Sequence, residues 1–457
     1  MTSLWDHIAR GGAAITGEFH GPGTSVAVAD LAAGSTLGGK LESLRGRSVL
    51  LATREQLPTA VALVELDGVA RRIVLCTPDL TPKLLTHIAA IAEADAIVLD
   101  APPMIEPTVT PYSVTPQPVP ATSARRGGDA TEWVLLTSGT TGVPKLVVHT
   151  LESLAGTLPR QAPGRCVWST FYDIRRYGGL QIYLRAVLSG TALVLSSPGE
   201  STRDFFTRAA ACGVTHLSGT PTHWRRALMS GDAALLTPEY VRSSGEIADQ
   251  TLLDALRTAY PNAQIAHAFA STEAGVAFDV NDGLAGFPAD LIGQGGPIDL
   301  KVQDGTLRIR SRRTAARYLG DGAGAIAGSA GYVDTGDLVE LKAGRYFFRG
   351  RMGGIINVGG LKVYPEEVES VLNSDPRVRI SLVRGRRNPI TGAVVAAEVV
   401  PADSALATRD SSAAERLKAD LLEECRRALP AHKVPAILHI VADLEMTAAG
   451  KLVRPGA

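Results

Sequence analysis

Cysteine is scarce: the 457 residues contain four, Cys76, Cys166, Cys212 and Cys425, and no two form a CxxC pair. A disulfide framework and a cysteine zinc site are therefore not expected, and a reducing compartment is. Net charge is also missing, because 46 lysines and arginines balance 46 aspartates and glutamates. Such a balance argues against a chain held to nucleic acid or anionic lipid by its bulk charge. No run approaches the roughly 20 apolar residues needed to span a bilayer. The opening Met1-Thr2-Ser3-Leu4-Trp5-Asp6-His7 has no basic start leading into an apolar core. The expectation is a cytoplasmic protein with no nucleic-acid or membrane partner.

Apolar residues, by contrast, make up 45% of the chain, and there are 47 glycines and 27 prolines. That is enough for large cores joined by many tight turns, and it excludes a disordered protein. The length is about three times a typical domain of roughly 150 residues, so two or more domains are expected.

Short apolar runs alternate with helical patterns through the first hundred residues. Residues 48–52, 72–76 and 96–99 read as buried strands, and 83–93 as an amphipathic helix. This alternation implies α/β architecture with a parallel sheet covered on both faces. Seven prolines between 101 and 120 read as a surface connection rather than a core element. Further strands are expected at 133–136, 192–195 and 214–217, with a helix at 249–260. From about Asp299 the texture becomes short β-type runs. A self-contained α+β pattern then fills 351–457, with a helix after Pro365, strands at 380–383 and 393–400, and a helix at 413–428. Glycines at 350, 353 and 354 make a natural swivel. The expected division is a large α/β domain at 1–350 and a small mobile α+β domain at 351–457.

The most informative stretch is Leu136-Thr137-Ser138-Gly139-Thr140-Thr141-Gly142-Val143-Pro144-Lys145. Hydroxyls, glycines and a lysine after a buried strand suit a loop that wraps phosphate, since glycine lets backbone amides approach an anion. A polar turn would have the same composition. A kinase-type P-loop needs Gly-Lys-Ser/Thr leading into a helix. Here Lys145 follows Pro144 and precedes the strand-like Leu146-Val147-Val148, so that motif is rejected.

This order of residues resembles the phosphate loop of the adenylate-forming superfamily, which contains acyl- and aryl-CoA synthetases, peptide-synthetase adenylation domains and luciferase. Four further stretches resemble its motifs in family order: Phe269-Ala270-Ser271-Thr272-Glu273; Tyr332-Val333-Asp334-Thr335-Gly336-Asp337; Gly350-Arg351 followed by Val358-Gly359-Gly360-Leu361-Lys362-Val363-Tyr364-Pro365; and Thr447-Ala448-Ala449-Gly450-Lys451. Together they cover residues 131–454, while the first 130 residues are only weakly similar and look shortened.

The resemblance implies a role for each matching position. Thr137, Ser138, Gly139, Thr140, Thr141, Gly142 and Lys145 would wrap the β- and γ-phosphates of ATP. Thr272 would touch the α-phosphate, and Glu273 would hold Mg²⁺, a hard cation suited to carboxylate and phosphate oxygen. Phe269, Ala270, Ser271, Gly245 and Glu246 would surround the adenine. Asp337 would accept from the ribose hydroxyls, and Arg351 would help to hold ribose or phosphate. Lys451 would offset the charge that develops as a carboxylate attacks the α-phosphorus. Gly359 and Gly360 would let the pantetheine of coenzyme A, or of a carrier protein, pass.

The acid pocket would draw on Tyr172, Arg175, Tyr177, Gly178, Ala274 and Gly275. The small, mostly apolar run 274–277 favours a hydrophobic aryl or medium acyl group. Four positions depart from the family pattern: Arg175 where histidine is usual, Gly353 where the swivel commonly has aspartate or lysine, Ala270 for glycine, and Leu146 for glycine. The implied activity converts a small carboxylic acid and MgATP to acyl-adenylate and pyrophosphate, then transfers the acyl group to coenzyme A. Alternatives are an enzyme loading an acyl carrier protein, an amide-forming synthetase, and a catalytically silent nucleotide-binding scaffold. A monomer or homodimer is expected.

Overall fold

The computed structural model describes residues 3–102, 109–121, 128, 130–137, 144–160, 165–320, 324–388, 392–407, 411–446 and 452. Two large sheets face each other across a layer of helices. One has eight strands, in the order Gly275–Val280, Gln264–Ser271, Tyr240–Ser244, His216–Gly219, Val167–Thr170, Ala192–Leu195, Glu18–Gly21, Thr24–Ala27. The other has seven, in the order Arg317–Leu319, Lys145–Thr150, Glu132–Thr137, Arg72–Leu75, Ser48–Leu51, Ala96–Leu99, Thr110–Ser113. Both are parallel in the middle and carry antiparallel strands toward at least one edge, so the expected single parallel sheet is in fact two mixed ones.

Strand alternation explains the layering. Val49, Leu51, Ile73 and Leu75 face inward, while Leu50 and Val74 pack outward with the Pro82–Ile91 helix. In the other sheet Leu193 and Leu195 face inward, and Val194, Leu217 and Val241 pack outward against three more helices. The inner layer contains the Gln56–Leu66 helix, every residue of which is buried. Its one acid, Glu65, accepts hydrogen bonds from the Ser35 hydroxyl at 2.9 Å and from the Thr36 backbone and hydroxyl. The second inner helix, Tyr177–Ser189, begins where Gly179 passes over the Asp173 carbonyl. A Cβ on Gly179 would come within 2.2 Å of that oxygen, so this position requires glycine.

The proline-rich segment does more than connect. Thr110–Ser113 pairs in parallel with Ala96–Leu99, and Val119–Pro120 pairs with Gly34–Ser35. Edge strands tolerate proline because one side of the backbone needs no partner, which is why composition alone hid them.

A five-stranded sheet follows, Phe287–Pro288, Arg345–Arg351, Val333–Lys342, Thr306–Ser311, Ile298–Gln303. Beyond it, the buried residues from Ile356 to Leu438 form a core of their own. That core combines the Pro365–Leu372 and Ser411–Ala428 helices with the long Val378–Asn388 and Gly392–Pro401 strands. No described helix is long and apolar enough to cross a membrane.

Candidate active site

The strands flanking the glycine-rich loop are antiparallel partners, with Thr137 directly opposite Lys145. Ser138, Gly139, Thr140, Thr141 and Gly142 lie outside the described residues, as does Lys451, whose neighbours Met446 and Leu452 form a β-bridge. Lys145 is exposed, with its ammonium 5.2 Å from the centre of the Tyr318 ring. The Tyr318 hydroxyl in turn donates to Glu273 Oε1 at 3.3 Å. Burial, and then the neighbouring Glu273 carboxylate, push the Tyr318 hydroxyl up to about 12, so it remains a donor at neutral pH. Tyr318 thus stands between two motif residues more than a hundred positions apart in sequence.

The 271–274 turn is pinned from several sides. Ser271 Oγ accepts from the Ala274 backbone at 3.0 Å, and the Glu273 carbonyl accepts from Ala315 at 2.8 Å. The Thr272 carbonyl lies 2.7 Å from Nε2 of His149. Gly275 closes the turn at φ +83, where a Cβ would come within 2.5 Å of the Arg313 Cβ. With the backbone fixed on both sides, the Thr272 and Glu273 side chains stay partly exposed.

Phe269 pairs across the strand with Phe278 and stacks on Phe348, with centroids 4.9 Å apart and planes at 14°. This contact joins the eight-stranded sheet to the five-stranded one. Ala270 and Ser271 follow on the same strand, both half-buried. On the hairpin that supplies Phe348, Asp337 lies opposite Arg351, and Arg351 Nε sits 3.3 Å from Asp337 Oδ1. Arg351 also donates to the Thr335 carbonyl at 2.8 Å, while the Thr335 hydroxyl accepts from the Asp337 backbone at 3.1 Å. The Thr-Gly-Asp motif therefore holds its aspartate in place against the arginine. Gly245, at φ +87, takes a conformation that disfavours other residues, and Glu246 accepts from the Thr222 backbone at 3.0 Å.

Tyr172 is buried, and its hydroxyl donates to the Ser244 carbonyl at 2.7 Å, bracing the loop that carries Gly245. Tyr177 is buried on the Tyr177–Ser189 helix, and a Cβ built on Gly178 would reach ordinary contact distance, 3.5 Å, from the Tyr172 ring. Ala274 is buried.

Arg175 departs from the sequence expectation of a pocket charge. Its side chain is fully buried and clamps Asp173 through Nε at 2.7 Å and Nη2 at 2.6 Å. Nη1 donates to the Thr53 carbonyl and, at 3.4 Å, to its hydroxyl; Nη2 also reaches the Arg54 carbonyl at 3.4 Å. Two of its N–H groups hold Asp173 within the turn and the others tie the turn to residues 53 and 54, after Ser48–Leu51, so the guanidinium is fully engaged within the protein.

Gly359 and Gly360 form the two-residue tip of the Ile356–Val358 and Leu361–Val363 hairpin, at φ +58 and +88. Two successive positive angles are those of a type I′ turn, so this geometry alone selects glycine. No atom of the described residues lies within 4 Å of a Cβ built at either position. Gly353 follows Arg351 in a short helical turn, also with open space around it.

His149 and Tyr318 were missed by sequence reading. His149 lies four residues after Lys145 on an inward-facing strand position, which looks like any buried histidine. Tyr318 comes from a three-residue edge strand with no periodic signal.

Two family models match the chain: AMP-binding enzyme over residues 55–310 and AMP-binding enzyme C-terminal domain over 367–451. A 2-succinylbenzoate–CoA ligase of Salmonella typhimurium is 27% identical over 362 residues, spanning 74% of this chain and 73% of that one. Among solved structures, ATP-bound MatB from Rhodopseudomonas palustris superimposes with a TM-score of 0.80 at 18% identity, covering 99% of this chain and 97% of that one. The amide bond synthetase McbA from Marinactinospora thermotolerans gives 0.76 at 19% identity, covering 98% and 97%. The structural likenesses are likenesses of fold.

Proposed function

The chain belongs to the AMP-binding enzyme family, and from that premise we propose that it is an AMP-forming acid–thiol ligase acting on a small carboxylic acid. The acid and ATP give an acyl-adenylate and pyrophosphate, and the thiol of coenzyme A then displaces AMP. The observation that carries this reading is the anchored turn at Thr272-Glu273. His149, Ala315 and Tyr318 hold it beside the strand that leaves the glycine-rich loop. Fixed groups aimed at developing charge do not have to reorganise during reaction, and this is the usual source of large rate effects.

In this reading Thr137 to Lys145 receive the terminal phosphates, and Thr272 the α-phosphate. Asp337, fixed against Arg351, accepts from the ribose hydroxyls, and the Phe269 edge of the aromatic cluster borders the adenine. Glu273 fits a hard divalent cation that takes one protein carboxylate and fills its other positions with phosphate oxygen and water. Mg²⁺ there would neutralise phosphate charge. Lys451 brings its ammonium to the reacting carboxylate. Residues 1–350 and 351–457 act as two bodies about the 350–354 swivel, a division supported by the separate core that begins at Ile356. The same first step would serve a carrier-protein thiol or an amine, so the acceptor is decided by assay.

The test is Glu273→Gln, which removes a charge and almost no volume. Pyrophosphate release should fall by roughly 10² at saturating Mg²⁺, with the unfolding midpoint unchanged. Activity within threefold of wild type would sink the assignment.

A further inference from the structure

At one end of the core between the two sheets three arginines gather, and one carboxylate, Asp279, lies among them, paired with Arg242 and close enough to act on Arg185. Arg242 lies on the inner face of the Tyr240–Ser244 strand, in register with Ser218 on the neighbouring strand. Across from them, Tyr177, Gln181 and Arg185 sit four residues apart on one face of the Tyr177–Ser189 helix. Arg313 enters from the wall beside Gly275, bonded to Thr157 Oγ1 at 2.6 Å and to the Val276 carbonyl at 3.0 Å. The acid among them is Asp279, 2.7 Å from Arg242 Nε, and its side chain is 41% exposed. All three guanidiniums lie close enough to act on the Tyr177 hydroxyl, and Arg185 is held at a lowered pKa by burial and then by Arg242.

Not every polar atom of this cluster is satisfied. Arg242 Nη2, Gln181 Oε1 and Ser218 Oγ are buried without a hydrogen-bond partner among the described residues. Buried donors are almost always paired, and buried cations without counter-charge are costly. An excess of two positive charges with an idle guanidinium nitrogen calls for an anion. The place also suits the acid: Arg242 is two residues before Ser244, whose carbonyl Tyr172 braces next to the Gly245-Glu246 loop. Along a strand that is about 7 Å deeper than the nucleotide loop.

We propose that the substrate is a dicarboxylic acid, whose reacting carboxylate faces the nucleotide and whose second carboxylate is received by Arg185 and Arg242. This rests on the acid-activation reading above and adds a second carboxylate to the aryl or medium acyl group expected from residues 274–277. Gln181 and Ser218 complete the polar wall, and Arg313 adds charge from the side. A carboxylate between two guanidiniums accepts several charge-assisted hydrogen bonds, which an uncharged end group cannot. A monocarboxylic acid of the same length would leave Arg242 Nη2 without a partner and the excess positive charge uncompensated, so the cluster discriminates against it as well as favouring the diacid.

The experiment compares matched pairs by pyrophosphate release: linear diacids of three to eight carbons against the corresponding monoacids, and benzene diacids against their methyl analogues. The best diacid should exceed its monoacid partner at least tenfold in kcat/KM. Arg185→Met should remove that preference while leaving the KM for ATP and the turnover of monoacids within about threefold, and Arg185→Lys should restore part of it. Arg242→Lys, which keeps the charge next to Asp279, should weaken diacids alone. Preference for monoacids in the wild type, with a ranking that Arg185→Met leaves unchanged, would overturn the proposal and leave acid activation standing. Release from no acid in any series would overturn acid activation, and this proposal with it.

Discussion

His149 Nε2 lies 2.7 Å from the carbonyl oxygen of Thr272, tying the strand that leaves the glycine-rich loop to the turn that carries Glu273. A carbonyl can only accept, so Nε2 carries the proton, and the neutral ring can accept from Ser153 Oγ through Nδ1 at 3.0 Å. His149 touches no reacting atom in this reading; it positions Thr272 and Glu273. His149→Phe keeps the bulk and deletes the donor. Pyrophosphate release should fall roughly 10- to 100-fold, since small misplacements of reacting groups cost about that much. His149→Asn, which can still donate, should recover part of the loss. The loss should appear mainly in kcat. If both variants lower only the unfolding midpoint, His149 is structural and no more.

Arg175 yields a prediction about stability rather than substrate choice. Removing one partner of a buried, fully bonded ion pair leaves a stranded charge, at a cost of about 3–5 kcal/mol. Arg175→Ala should therefore lower the urea midpoint sharply, while the order in which folded enzyme ranks its acids stays the same. A changed ranking with little loss of stability would return Arg175 to the acid pocket.

Two histidines make the fold sensitive to acid. Burial pushes His149 and His223 down to about 4 from an ordinary 6.5; Arg226 adds to the effect at His223, and the bond to Thr272 opposes it at His149. Nδ1 of His223 accepts from the Thr220 backbone at 3.2 Å, and its ring stacks on Phe171, so protonation would break a helix cap. Between about pH 6.5 and 4 the unfolded chain binds protons that the folded chain refuses. Stability is full above that window and falls as the pH drops through it, by roughly 2 kcal/mol per histidine between pH 6.5 and 5. Urea titrations at several pH values should show a shallower decline in His223→Gln than in wild type. Parallel curves would remove His223 from the account.

What was legible in the sequence follows from what each signal depends on. Buried strands such as Ala192–Leu195 and Ala96–Leu99 stand out because their apolar runs are continuous and bounded by turns. The helix after Pro365 was visible because proline belongs in a first turn. Motif residues could be named because five stretches resemble those of the adenylate-forming superfamily in the same order, whereas the composition of any one of them also fits a polar turn. The role of Arg175 was not legible: its partners Thr53 and Arg54 lie about 120 positions away, and no local pattern records them. The same holds for Arg185, Arg242 and Arg313, which come from a helix, a strand and a loop and become a cluster only when the sheets close. The paired edge strand Thr110–Ser113 was hidden by its proline.

The last prediction separates the two half-reactions. If the C-terminal body swivels about residues 350–354, Lys451 attends only the first step, and the hairpin tip at Gly359-Gly360 faces the thiol in the second. Lys451→Ala should then lose adenylate formation by about 10² or more, because one aimed charge is removed from the transition state. Supplied with ready-made acyl-adenylate and coenzyme A, the same variant should form thioester at close to the wild-type rate. The tip requires a residue that accepts positive φ, so the complementary change is Gly359→Asn, the side chain most tolerant of that conformation after glycine. A Cβ built on Gly359 has no neighbour within 4 Å among the described residues, so the substitution starts into open space. Any effect should therefore fall on the incoming thiol, with adenylation spared and thioester formation slowed. Rapid-quench measurement of both steps in both variants decides the matter. Equal loss of both steps in Lys451→Ala would mean that one fixed arrangement serves the whole reaction, and the swivel would have to be abandoned.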